Sequence, residues 1–229
     1  MSFAGKERRP VVAVTGLAIE ARIASGERVR TLAAGGDEKR LIAQLERAFA
    51  EGALAILSFG IAGGLTAAVP GTWVVAETVI TPTARCPVDR AWAAALAQRL
   101  PGALRGDVAG SDAIIATPVE KRALGATSGA IAVDTESHIV AAFAAAAGVP
   151  FAVFRVVADP VTRSLAPAAL KGMRPDGTVD QRAVLGSLVR QPGQLPTLLR
   201  NAIDAQTAFA ALSRGRRLLG LGLGYPDLG

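Results

Sequence analysis

The chain has 229 residues, of which 51% are hydrophobic, 4% aromatic and 19% charged. That is enough for one large domain, residues 1–229, with a core built from Ala, Val, Leu and Ile. One cysteine and one histidine exclude an internal disulfide, a thiolate metal cage and a His-rich metal site. The net charge of +6 comes from scattered arginines, and its local groups at residues 6–9 and 214–217 lack the interleaved aromatics of a nucleic-acid surface. Two uncharged windows, 52–76 and 139–154, are punctuated by Gly and Pro or too short for a membrane span. The opening MSFAGKERRP holds no apolar run of a signal peptide, so the expected location is cytoplasmic.

In chain order, residues 10–16 (PVVAVTG) are β-branched, uncharged and closed by glycine, the pattern of a buried strand. Residues 37–52 form an amphipathic helix with Leu41, Ile42, Leu45, Ala48 and Phe49 on one face. ALAILSFG (53–60) is a second buried strand and GTWVVAETVI (71–80) a third. DRAWAAALAQRL (89–100) reads as a helix, and DVAGSDAIIA (107–116) as a strand broken by Gly110. TPVEKRAL then opens a helix with a capping box: Thr117 caps, Pro118 takes the first helical position and Glu120 reaches back. A strand at 130–134, a helix at 136–147 and a strand at 151–157 follow. After an irregular stretch come helices near 182–190 and 194–212. This alternation predicts an α/β fold: three layers, α/β/α, around a central mixed, mostly parallel sheet.

Gly-rich turns at 15–16, 33–37 and 59–64 each follow an apolar stretch, and such turns let a backbone approach a ligand, often an anion. None is a GxGxxG or Walker loop, so no dinucleotide or NTP motif is present, and neither a cofactor nor a metal is expected. Three acids stand just past buried strands: Glu20, Glu136 and Asp159. Each has an ordinary structural use, Glu20 and Glu136 in a first helical turn and Asp159 ahead of Pro160. Their coincidence at strand ends, where open α/β sheets bind ligands, points instead to paired carboxylates doing acid–base work. Asp134 points away from Thr135 in an extended segment and is set aside. Ser137 beside His138 lacks a nucleophile elbow, and Cys86 reads as a loop cysteine.

Five segments then occur in a telling order: SFGIAGGL (58–65), GTWVVAETVI (71–80), GSDAII (110–115), AVDTES (132–137) and VPFAVFRVVADP (149–160). Together they resemble the nucleoside phosphorylase and nucleosidase superfamily of purine and uridine phosphorylases and methylthioadenosine/S-adenosylhomocysteine nucleosidases. The most specific part is V-[acid]-x-E with R-x-x-[S/A]-D. The resemblance implies a phosphorylase-like fold that is shortened between Glu20 and Ser58, as though a strand pair were missing, and cleavage of an N-glycosidic bond. Glu136 would bind the ribose hydroxyls and stabilise an oxocarbenium-like transition state, and Asp159 would protonate the leaving purine. Thr135 would lie beside the ribose and Ile114 against the base, with Gly16, Gly60, Ile61 and Ala62 lining the substrate. Glu20 would position water or phosphate, although a gapless count places it one residue early.

Ser58 and Ile61 stand where phosphorylases of this family carry phosphate ligands, which favours water as acceptor. A weaker phosphate site would use Gly35, Gly36 and Arg40, with Arg22 and Arg85 as further unplaced cations. The short, apolar form and the tail RRLLGLGLGYPDLG (216–229) are similar to the branch associated with hopanoid biosynthesis. That branch implies release of adenine from adenosylhopane, a lipid-linked 5′-substituted adenosine, with peripheral contact at the inner membrane face. The family also implies a homodimer or higher oligomer, with the loop 81–89 as a candidate contact. Two rivals stay open: a true phosphorylase, and a non-catalytic nucleoside or lipid-nucleoside carrier on the same fold.

Overall fold

A computed structural model describes residues 9–33, 37–172, 174, 177, 178 and 180–228. The chain opens with β1 (Val11–Thr15), every residue of which is buried, then α1 (Ala18–Ala24) and β2 (Val29–Ala33). Helix α2 (Glu38–Ala50) is capped by Asp37, whose side chain accepts from the Arg40 amide, and buries Leu41, Leu45 and Ala48. These elements and the start of β3 (Ile56–Gly64) fill the interval between Glu20 and Ser58, where β2 is the one intervening strand among the described residues. Next come β4 (Trp73–Ile80), the short β5 (Arg85–Pro87), α3 (Arg90–Arg99) and β6 (Leu104–Gly110). Helix α4 (Pro118–Ser128) begins with the expected Thr117–Glu120 box and ends at Gly129, which takes a left-handed φ of 74°. The remainder is β7 (Ala132–Asp134), α5 (Ser137–Ala147), β8 (Phe151–Asp159), α6 (Pro167–Gly172), α7 (Gln181–Arg190) and α8 (Leu195–Leu218).

The sheet is mixed. Pairings β1–β2, β1–β3, β3–β8, β4–β6 and β6–β7 are parallel, and β3–β7, β4–β5 and β4–β8 are antiparallel. Strands β3, β8, β4, β6 and β7 therefore close on themselves in a circuit, with β1, β2 and β5 as extensions. Closure depends on small residues, because Gly63 and Gly64 pair with Val133 and Ala132. A Cβ on either glycine would lie about 3 Å from a valine methyl.

Alternation along β8 assigns its two faces. Phe154 stacks edge-on against Phe59 and meets α8 at Gly215. Its neighbour Arg155 points the other way, to Ser137 at the start of α5. Helices thus cover both sides, as the sequence predicts. The buried indole nitrogens are satisfied as burial requires: Trp73 Nε1 donates to Ala211 O and Trp92 Nε1 to Leu223 O.

Four details differ from the sequence reading. The FGIAGG turn is strand: β3 runs on to Gly64, because its glycines admit side chains of other segments rather than reversing the chain. Residues 107–116 are not one broken strand, since β6 starts at Leu104 and stops at Gly110, where the Cβ of His138 occupies the space a side chain would need. Cys86 lies in β5. Part of the tail folds back as core, with Leu219 and Leu223 fully buried and Tyr225 edge-on to Trp92, while Leu218 and Leu221 stay exposed.

Candidate active site

Arg155 is the centre of the buried polar cluster. A guanidinium with no exposure, in the middle of an apolar strand, must be paired. Its Nε lies 2.8 Å from Asp134 Oδ2 and its Nη2 lies 3.2 Å from Glu136 Oε2. Nη2 also donates to Ser58 Oγ at 2.7 Å. Ser58 and Ser137 hydroxyls are 2.9 Å apart, and Ser137 Oγ donates to Asp134 Oδ2 at 2.5 Å, which completes a chain from the arginine back to its own counter-ion. Asp134 also accepts from the amides of Glu136 and Ser137. It thereby holds the turn that aims Glu136.

Glu136 receives a hydrogen bond from Thr135 Oγ1 on its Oε1 at 2.5 Å. Burial pushes its carboxyl above the usual range, against the pull of Arg155. Gly16 gives it room, since a Cβ there would stand 2.8 Å from Oε1.

Glu20 projects from α1 into the same cluster, 1% exposed. Its oxygens accept from the Leu17 amide and the Ile61 amide, each at 2.7 Å. Burial raises its pKa from 4.5 to about 7, opposed by Arg155 and reinforced by the Glu136 charge. Gly60, at φ 154°, makes the approach possible: a Cβ would lie 2.6 Å from Glu20 Oε1 and 2.8 Å from Arg155 Nη1.

Asp159 belongs to a second cluster. It ends β8 beside a bulge, where the register passes from Ala62–Val157 to Gly63–Asp159 and leaves Ala158 unopposed; bulges re-aim the side chains next to them. Lys121 of α4, fully buried, sets its Nζ 2.5 Å from Asp159 Oδ2 and donates to the carbonyls of Arg163, Pro160 and Asp159. Burial raises the Asp159 pKa while Lys121 lowers it. Asp159 stands next to Gly63 and Glu20 next to Gly60, so about 10 Å of β3 separates the clusters at roughly 3.3 Å per residue.

The structure thus brings Glu20, Glu136, Gly16, Gly60, Ile61 and Thr135 together, and sets Asp159 at the other end of the same stretch of β3. Ala62 is buried in that stretch, while Ile114 is 42% exposed in the loop after β6. Arg40 sits on the exposed first turn of α2, and Gly35 and Gly36 lie outside the described residues. Arg85 pairs with Asp107. Ser137 and His138 form no dyad, because Ser137 serves Asp134 and His138 Nε2 meets Asp112 Oδ1 at 2.9 Å. Sequence reasoning passed over Arg155, Asp134, Ser137 and Lys121 as site residues. Arg155 had a signal, an isolated charge in FAVFRVVAD, whereas nothing in VEKRAL separates Lys121 from Arg122.

The phosphorylase superfamily profile matches residues 6–184, most of the chain. The chain belongs to the phosphorylase superfamily. Solved structures carry the same fold at low identity. The 5′-methylthioadenosine/S-adenosylhomocysteine nucleosidase of Helicobacter pylori aligns with a TM-score of 0.62 at 15% identity, over 91% of this chain and 97% of that one. The futalosine hydrolase of H. pylori gives 0.60 at 15% identity, over 92% and 97%. The Streptococcus pneumoniae 5′-methylthioadenosine/S-adenosylhomocysteine nucleosidase gives 0.57 at 16% identity, over 89% and 98%. Comparison with curated proteins gave no match. Within this phosphorylase-superfamily fold, the three acids singled out from the sequence fall in two polar clusters along one strand.

Proposed function

We propose that this chain, acting as a single domain, cleaves the N-glycosidic bond of a purine nucleoside. The substrate is a 5′-substituted adenosine, adenine is the leaving base, and adenosylhopane is the candidate natural substrate. The observation that carries the reading is the separation of the carboxyls: Glu20 and Glu136 share Arg155, while Asp159 stands apart with Lys121. Breaking the C1′–N9 bond leaves positive charge on the sugar and negative charge on the purine. Glu136 answers the first as a carboxylate held by Arg155 and Thr135. Asp159, raised by burial, answers the second by donating its proton to the departing base.

Water is the favoured acceptor. Glu20, with a pKa of about 7, is suited to take a proton from water at neutral pH. A phosphate dianion at the same place would meet Glu20, Asp134 and Glu136 around one guanidinium that already carries two of them. The test is adenine release from a 5′-alkyl adenosine, with and without phosphate, by the native chain and by Glu136→Gln. Hydrolysis predicts phosphate-independent release that falls by about a hundredfold or more in the variant while nucleoside binding survives. A strict phosphate requirement would make the chain a phosphorylase, and binding of adenosylhopane without turnover would make it a carrier.

A further inference from the structure

The helices after β8 carry features that the proposed chemistry does not use. Five large apolar side chains stand in water within residues 185–203: Leu185, Val189, Leu195, Leu199 and Ile203, with Val189 76% exposed and Ile203 63%. They recur every four residues on each helix, Leu185 and Val189 on α7 and the other three on α8, so each set forms one stripe along its helix. Exposed arginines accompany the stripes: Arg182, Arg190 and Arg200. Acid is almost absent from the two helices. Asp204 is their one carboxylate, and it is buried against Arg163.

An apolar stripe among cations with no exposed acid fits an anionic bilayer better than a second copy of the chain. Across a two-fold contact, Arg182, Arg190 and Arg200 would face their own equivalents, since Asp204 is buried against Arg163 and Asp180, the cap of α7, is paired with Arg174. A bilayer containing acidic lipid supplies both the apolar layer and the countercharge. We propose that α7 and the first half of α8 form a docking surface for an anionic lipid bilayer. Leu185, Val189, Leu195, Leu199 and Ile203 enter the boundary between headgroups and acyl chains, and the three arginines meet headgroup phosphates.

The surface adjoins the candidate site through the backbone. Ala18 N, in the first turn of α1, donates to Gly177 O just ahead of α7 at 3.0 Å, and Glu20 lies in the same turn. The corollary, that a 5′ lipid substituent is drawn from the bilayer beside the site, rests on the nucleosidase reading; the docking itself does not. It also differs from a membrane role for the tail, which buries Leu219 and Leu223 and exposes only Leu218 and Leu221 of its leucines among the described residues.

The experiment is flotation of the full chain with vesicles of phosphatidylcholine alone and of equal parts phosphatidylcholine and phosphatidylglycerol, at low and high salt. Binding is expected with phosphatidylglycerol only, weakened by salt. Leu199→Glu with Ile203→Glu should abolish it. Triple replacement of Arg182, Arg190 and Arg200 by Ala should weaken it by roughly a hundredfold. All these residues are on the outside, so circular dichroism and the thermal midpoint should stay native. Turnover of a water-soluble 5′-alkyl adenosine should be unchanged in both variants, which keeps docking and catalysis as separate readouts. No binding to phosphatidylglycerol vesicles, equal binding to both vesicle types, or undiminished binding by the glutamate variant would overturn the proposal. Light scattering that shows copies held together through Leu199 and Ile203 would overturn it too, in favour of self-association.

Discussion

Replacing Glu20 by Gln tests the electrostatics of the cluster without emptying it. The carboxyl is buried, and its pKa stands at about 7 in the folded chain against 4.5 as the ordinary value. An acid whose pKa rises on folding binds more protons folded than unfolded between those two values, so stability falls as pH rises through that window. At about 1.4 kcal/mol per pH unit the full loss is about 3 kcal/mol, reached above neutral pH. Gln carries no such titration. Its amide nitrogen can serve only one side of the site, so either the Leu17 or the Ile61 amide loses its acceptor, at a cost of about 1–2 kcal/mol at every pH. The two stability curves should therefore cross. Glu20→Gln is expected to be the less stable protein near about pH 5 and the more stable near about pH 8, with a swing of about 2.5 kcal/mol between them. Urea unfolding of both proteins at a series of pH values measures this directly. Glu136 and Asp159, also raised by burial, tilt both curves the same way and largely cancel in the difference. Parallel curves would refute the account of Glu20 as a desolvated acid.

Arg155→Met should cost about 3–5 kcal/mol at neutral pH, because Asp134 and Glu136 are left buried without their cation; the loss should shrink in acid, as chemical denaturation at two pH values would show. Gly60→Ala should cost at least about 2 kcal/mol by the same method, since φ 154° is hostile to a side chain and the new methyl would overlap Glu20.

What the sequence makes legible and what it hides divide along a physical line. β1 and α2 are readable because burial and period coincide within a single element. The box at Thr117 and Glu120 is readable because capping is local chemistry. The three acids are readable for the same reason, Glu20 and Glu136 at the start of helices that follow strands and Asp159 at the end of β8. Their grouping is not, because it depends on which strands adjoin. Glu20 meets the Ile61 amide across forty-one positions of chain, and Lys121 meets Asp159 across thirty-eight. The end of β3 misleads in another way. FGIAGG has the composition of a turn, yet here glycine lets neighbouring side chains reach an extended backbone. The tail is ambiguous because buried and exposed leucines have the same local pattern there, and only the place of Trp92 and Leu96 separates the packed Leu219 and Leu223 from the exposed Leu218 and Leu221.

The position of β8 bears on how this protein is made. It is the last strand in the chain, yet it lies between β3 and β4 and bonds to both. Until it leaves the ribosome, the earlier strands have two open edges facing one another, the arrangement most liable to pair with a neighbouring nascent chain. Synthesis therefore carries a period of exposure that begins when β3 is out and ends only when residues 151–159 insert. A holding chaperone has its work in that interval, and refolding of the whole chain should be slow for the same reason, since the closing pairs join segments nearly a hundred residues apart.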